Sequence, residues 1–230
     1  MNIEVDNDFD SYLSDYGSKV TVITSPMYID QRGSFTEYWK IGEKIFPIDL
    51  NKSMKQINVS YTKESVVRGC HAQMGLSCQG KLVTALSLPI IDIITDARPN
   101  MQSFGKSKAY LLDPDKQTKL WVPRGFLHSF VTLPQSGTYI FQYICDNTYD
   151  KKSEICVNPF TVIDRALDEF YETNSSFKPD QPITYDCSDK DKNGVELYKF
   201  MNYVIYCTES KTTTSSSYHS LFCFSYRFST

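Results

Sequence analysis

The sequence predicts a mainly β protein, an antiparallel sandwich or barrel built as one domain. Between Val20 and about Asn147 the chain alternates short apolar or alternating runs with turn-forming residues, the pattern of many short antiparallel strands. At 230 residues and 26.4 kDa it is long for one domain and short for two, which favours one domain with extensions. Hydrophobic residues at 41% and charged ones at 22% are ordinary globular usage, arguing against a disordered, collagenous or coiled-coil chain.

The strand candidates run in order as VTVIT, QINVSYT, KLVTALSL, IIDIIT, KAYLL, KLWVP, HSFVTL and TYIFQYI. Pro26, Gly33, Gly75, Pro99, Asn100, Pro114, Pro134 and Gly137 separate them, supplying the restricted or positive φ values that turns need. An early helix is expected near Glu37 to Ile45. After Pro159 the period changes, and VIDRALDEFY places Val162, Ala166, Leu167 and Phe170 at helical spacing with acids between them. A polar loop follows, and CSDKDKNGVELYKFMNYV is expected to lead into a terminal helix. The domain is drawn as residues 1–200. Residues 201–230 join a Ser/Thr-rich run to an aromatic end and read as a loosely docked tail without an assigned role.

Lys and Arg number 24 against 27 Asp and Glu, a net charge of −3, so no global positive field recruits nucleic acid or acidic lipid. The most apolar stretch, Leu82 to Ile94, is broken by Thr84, Ser87, Pro89 and Asp92, so no transmembrane helix is expected. Met1 to Asp10 is acidic and lacks the order of a secretory signal, which points to the cytoplasm. The seven cysteines have no CxxC spacing and fit reduced thiols rather than a disulfide framework or a zinc site.

Only three histidines exist, His71, His128 and His219, and the last lies in the tail. WVPRGFLHSF carries a PxGxxH pattern like the second motif of metal-binding cupin barrels, but RGCHAQ offers Ala72 and Gln73 where such a site has a second histidine. His71 and His128 alone make a poor ligand set, and no catalytic metal is expected. The residues gather instead as a proton-transfer set: His71, with Arg68 before it and Lys81 after it, and a tyrosine-rich run at Tyr139, Tyr143 and Tyr149. Histidine suits this because its unperturbed pKa lies nearest neutrality. A buried histidine that only satisfies core hydrogen bonds is the competing reading.

Order and spacing supply the context. DQRGSFTEYW, QINVSY, VVRGCHAQ, QGKLV, IIDIITDAR, FGKSKAYLL, WVPRGFLHSF, YICDNTYD and CSDKDKNG follow one another from about Asp30 to Gly194. Together they resemble the dTDP-4-dehydrorhamnose 3,5-epimerase family. The resemblance implies a double-stranded β-helix (jelly-roll, cupin-like) barrel with a few short peripheral helices. It implies a homodimer that acts without metal or organic cofactor on a nucleotide-linked 4-keto-6-deoxy-hexose. In that chemistry the 4-keto group accepts charge as an enolate when a proton leaves carbon 3 or carbon 5, and a proton returned to the opposite face inverts the centre.

By the same resemblance His71 is the base, and Asp191 orients its ring and stabilises the imidazolium. Tyr143 supplies a proton from the other face, and Lys81 is the cation near the enolate oxygen. Arg68 and His128 line the cavity, the arginine suiting a diphosphate. Arg32, Phe35, Glu37, Gln56, Asn58 and Tyr149 are implied for the nucleotide, with RGSFTE contributed by the neighbouring subunit, and Lys192 is implied as a phosphate contact. Asp92 and Asp96 can equally be structural carboxylates.

The chain departs from the family at Cys70 and Ala72, which flank the histidine, at SLPI after KLV, and between Tyr149 and Tyr171. Packing is the favoured role for Cys70, since the reaction needs no covalent intermediate. The competing functions are a one-carbon epimerase or ketoisomerase on the same scaffold, a non-catalytic sugar-nucleotide-binding cupin, and a metal-dependent cupin. The choice between dTDP and UDP is open.

Overall fold

The computed structural model of the chain describes residues 1–9, 19–38, 54–99 and 101–201. Thirteen strands lie in these residues: β1 (Asn2–Val5), β2 (Thr21–Thr24), β3 (Tyr28–Asp30), β4 (Gly33–Phe35), β5 (Gln56–Thr62), β6 (Val67–Gln73), β7 (Lys81–Ala85), β8 (Ile90–Asp96), β9 (Ser107–Leu112), β10 (Thr118–Val122), β11 (Phe126–Thr132), β12 (Tyr139–Cys145) and β13 (Glu154–Cys156). They form a six-stranded sheet ordered β1-β2-β10-β7-β12-β5, a five-stranded sheet ordered β13-β6-β11-β8-β9, and the small hairpin β3-β4. Every pairing between these strands is antiparallel, and few sheet neighbours are consecutive in the chain. This is the jelly-roll sandwich that the resemblance implies.

Each apolar run of the sequence becomes a strand because its alternate side chains can enter one shared core. Val83 and Ala85 of the six-stranded sheet meet Val67, Ile91, Ile93, Phe130 and Val131 of the other. Ile90, Ile91, Ile93 and Ile94 of β8 are all fully buried, which requires cover on both faces of that strand. Helix α1 (Ile163–Thr173) packs on β9 and adds Ile163, Ala166, Leu167 and Phe170 to the same cluster. Burial of each large aliphatic side chain contributes about 1.5–3 kcal/mol.

The expected helix after Pro159 is therefore present. The terminal helix is divided: a short turn, α2 (Asp189–Lys192), capped by the Ser188 hydroxyl, precedes a second helical stretch at residues 197–201. The expected helix near Glu37 to Ile45 falls almost wholly outside the described residues, as do Asn100 and residues 202–230. No helix among the described residues is long and apolar enough to cross a membrane. Cys70, Cys78, Cys145, Cys156 and Cys187 are all free thiols.

Four strand segments were not among the expected runs: β1, the β3-β4 hairpin, β6 and β13. Strand β6 is the instructive one. Its register against β11 pairs His71 with His128 but Arg68 with Phe130, so β6 carries one extra residue between them. In a regular strand residues three apart face opposite ways; this bulge turns Arg68 and His71 into the same cavity. Gly69 makes the bulge possible. Its φ is +115°, and a Cβ there would stand 2.5 Å from the Ser129 Cβ and 2.6 Å from the His128 carbonyl oxygen.

Candidate active site

A cavity of about 620 Å³ opens between the two sheets. His71 and Arg68 reach it from β6 and His128 from β11, all in the five-stranded sheet, while Lys81 and Tyr143 reach it from β7 and β12 of the six-stranded sheet. Asp191 enters from α2. A smaller cavity of about 270 Å³ shares His71, Lys81 and Tyr143 in its wall and adds Gln56, Asn58, Tyr149 and Glu154.

His71 Nε2 lies 2.7 Å from Asp191 Oδ1. Burial works against ionisation of Asp191, but the hydrogen bond and charge of His71, the Gly69 N–H and the Ser188 hydroxyl together hold its carboxyl below the usual range. An ionised carboxylate only accepts, so the ring hydrogen of neutral His71 sits on Nε2 and Nδ1 carries the open lone pair. Nδ1 stands 3.8 Å from Glu154 Oε1. The ring thus has a carboxylate on either side, one fixing the tautomer and one placed to attract a proton that arrives on Nδ1. Glu154 is itself held by Lys190 and by the Tyr149 hydroxyl, which donates to Oε2 across 3.1 Å.

Opposite His71, burial pushes the Tyr143 phenol above its ordinary value, with Cys145 and Glu154 adding to the shift and Arg68 opposing it. The phenol stays protonated and able to donate. Tyr143 is held by stacking on Phe141 at 5.8 Å. Burial pulls the Lys81 ammonium below its usual range, opposed by Cys145, Asp92 and Glu154, and its Nζ lies 5.9 Å from the centre of the Tyr143 ring. A cation and a phenol from one sheet facing an imidazole base from the other can take a proton from one side of a carbon, return it on the opposite side and hold a developing oxyanion between.

The remaining residues divide. Gln56 and Asn58 are hydrogen-bonded to each other at 2.8 Å in the smaller cavity, where the Tyr149 backbone N–H donates to Gln56 Oε1. His128 Nε2 is 2.8 Å from Asp92 Oδ2, so Asp92 supports a cavity residue. Asp96 accepts from Arg98 and Ser103 in a buried cluster and is structural. Arg32, Phe35 and Glu37 do not line either cavity; Arg32 is exposed and paired with Asp30. Lys192 is outside both walls, and Lys190, two residues earlier on α2, is in the wall of the larger cavity. Tyr139 is a core residue whose hydroxyl donates to the Leu133 carbonyl. The Cys70 thiol is buried and pushed up to about 12, as packing requires.

Sequence reasoning missed Glu154 and the pairing of Asp92 with His128. The signal for Glu154 was the alternation of Glu154 and Cys156 in β13, which places both on one face, but reading it requires the β13-β6 register.

Comparisons with known proteins identify the family of the chain. A family model described as dTDP-4-dehydrorhamnose 3,5-epimerase matches residues 18–199. The dTDP-4-dehydrorhamnose 3,5-epimerase of Escherichia coli is 36% identical over 141 residues, 60% of this chain and 75% of that protein. A solved dTDP-6-deoxy-D-glucose-3,5-epimerase from Legionella pneumophila, in complex with dTDP-4-keto-L-rhamnose, superposes with a TM-score of 0.64 at 25% identity, covering 86% of this chain and 94% of that one. A 3′-monoepimerase from Streptomyces bikiniensis in complex with dTDP-quinovose shares the fold, with a TM-score of 0.64 at 18% identity over 88% of this chain and 96% of that one. The chain belongs to the dTDP-4-dehydrorhamnose 3,5-epimerase family, whose reaction class is that of an isomerase.

Proposed function

We propose that the protein epimerises carbons 3 and 5 of a nucleotide-linked 4-keto-6-deoxy-hexose in deoxysugar (rhamnose) biosynthesis. The observation that carries the reading is the convergence of His71 with Asp191 from one side, and Tyr143 with Lys81 from the other, on one cavity. His71 Nδ1 takes the proton from carbon 3 or carbon 5. The charge moves to the 4-keto oxygen, where Lys81 stabilises it, and Tyr143 returns a proton to the opposite face. The substrate's own carbonyl is the electron sink, so the step needs no cofactor. Asp191 and Glu154 stabilise the imidazolium formed in the first half.

Arg68, with Lys63 and Lys190 in the same wall, suits the diphosphate, and Gln56, Asn58 and Tyr149 suit the nucleotide. Arg32, Phe35 and Glu37 belong to this account as residues given to a partner's site. Supporting that, Phe35 on the β3-β4 hairpin is 66% exposed, and the edge strand β5 presents Ile57, Val59 and Tyr61 to solvent. The functional unit is then a homodimer, and the free thiols fit a cytoplasmic enzyme.

The test is proton NMR of dTDP- and UDP-4-keto-6-deoxy-glucose incubated with the protein in deuterated water. Deuterium entering both carbon 3 and carbon 5 is expected. Entry at one carbon would replace the reading with a one-carbon epimerase, a fold-compatible outcome given the monoepimerase relative. Exchange with neither nucleotide would overturn the enzymatic reading.

A further inference from the structure

Strand β13 pairs with β6 so that Cys156 stands directly opposite His71. Residues opposite one another in an antiparallel pair share a face, and here that face also receives Asp191. Cys156 Sγ is 3.6 Å from Asp191 Oδ1, which is 2.7 Å from His71 Nε2, and one ligand atom from each of the three residues falls within 4.8 Å of the others. We propose that His71, Asp191 and Cys156 form a site for a thiophilic divalent cation of the zinc class, and that filling it switches the enzyme off.

The dimensions approach those of a zinc site. Tetrahedral zinc, with bonds of about 2.0 Å to nitrogen or oxygen and about 2.3 Å to sulfur, spaces its ligand atoms roughly 3.3–3.6 Å apart. The sulfur and the carboxylate oxygen already stand at that separation; the nitrogen and oxygen need to part by about 0.6 Å as the ion replaces the hydrogen between them, and the sulfur and nitrogen, within 4.8 Å of each other, close on the ion by a side-chain movement of up to about 1.2 Å. Three protein donors leave the fourth position to solvent, and both His71 and Asp191 line the large cavity through which an ion can enter. A thiolate among the donors selects zinc or cadmium over magnesium or calcium. A histidine that binds a metal through one nitrogen commonly donates from the other to a carboxylate, and Glu154 Oε1 is already 3.8 Å from His71 Nδ1.

The consequence for turnover rests on His71 acting as the base through Nδ1. Once the ion holds Nε2, the one hydrogen of the neutral ring moves to Nδ1 and points at Glu154. The lone pair that would accept the carbon-bound proton is then occupied. The Cys156 thiol gives its proton to solvent as the sulfur–metal bond forms, so about one proton leaves per ion bound.

The experiment uses the purified full chain, with cadmium as a spectroscopic probe and zinc in calorimetry and turnover assays. A thiolate-to-cadmium absorption band is expected in the wild type and is expected to be lost from the difference spectrum in Cys156→Ser. Zinc affinity should fall about tenfold or more in that variant. Turnover measured with a chelator should be unchanged by Cys156→Ser, and the variant should resist zinc concentrations that stop the wild type. Cys156→Ala repeats the comparison if the serine variant folds poorly. A band of wild-type intensity in both variants, or equal zinc sensitivity, overturns the proposal. Cys156-dependent binding in a protein that turns over no nucleotide sugar would uphold the ion site and overturn the His71 base reading alone.

Discussion

Two histidines that line the same cavity are each paired with a carboxylate, and the hydrogen bonds are nearly equal: 2.7 Å for His71 with Asp191 and 2.8 Å for His128 with Asp92. Their surroundings differ. The His71 side chain is 28% exposed and its second nitrogen faces Glu154, whereas the His128 side chain is 9% exposed and Asp92 is fully buried in β8. Asp191 accepts from the His71 ring, the Gly69 N–H and the Cys156 thiol, with the Ser188 hydroxyl also favouring its ionised form, while Asp92 Oδ1 has no hydrogen-bond partner among the described residues. The difference teaches that a short bond to a carboxylate does not by itself suit a histidine to act as a base. What distinguishes His71 is an open lone pair at the junction of two cavities with an anion ready to receive the resulting charge.

Breaking each pair in the same way should separate them. Asp191→Asn is expected to lower kcat by about 10²–10⁴, the span of a positioned general base, because the amide no longer fixes the Nε2–H tautomer or stabilises the imidazolium. Asp92→Asn should cost less than about tenfold, since its effect on a proton in flight is indirect. Equal losses in steady-state turnover would erase the distinction between the pairs.

The opposite wall sharpens it. Tyr143→Phe removes only the phenolic donor, so solvent deuterium exchange into the sugar should survive better than completed inversion. If exchange and product formation fall together, the division of roles between His71 and Tyr143 is wrong. Gly69→Ala probes the bulge that aims His71, and the contacts a Cβ would meet there predict a loss of about 1–3 kcal/mol in denaturant unfolding. A neutral result would mean that β6 can relax without its positive φ.

The smallest effect is on acid stability. The Asp191 carboxyl is held below its usual value in the folded protein, so its stabilising contribution is complete above the unfolded pKa, near 4, and is lost as pH falls through the folded value. Asp191→Asn should therefore lose less stability than the wild type between about pH 5 and pH 3 in melting measurements. A larger loss in the variant would contradict the direction of the shift.

These contrasts also show where the sequence was readable. Runs such as IIDIIT and TYIFQYI announce strands because their apolar residues have nowhere to go but a shared core, and β8 and β12 follow them closely. Strand β6 was hidden because its bulge breaks the alternation, with Arg68 and His71 on one face at a spacing of three. Strand β13 has only three residues, and β1 alternates exposed and half-buried positions rather than buried ones. For the site, Lys81, Tyr143 and Asp191 were reachable through the family resemblance, which carries chain order into space. Glu154 and Cys156 depend on which residue of β13 lies opposite His71, and Lys190 rather than Lys192 depends on the phase of a four-residue helix. Those are registers, and no periodicity in the chain encodes them.

The most direct test of His71 as the base compares His71→Asn with His128→Asn for solvent deuterium entry at carbon 3 and carbon 5 of the nucleotide-linked 4-keto sugar. Exchange should be abolished at both carbons in His71→Asn and retained in His128→Asn. Exchange that persists without His71, or that disappears equally in both variants, would contradict it.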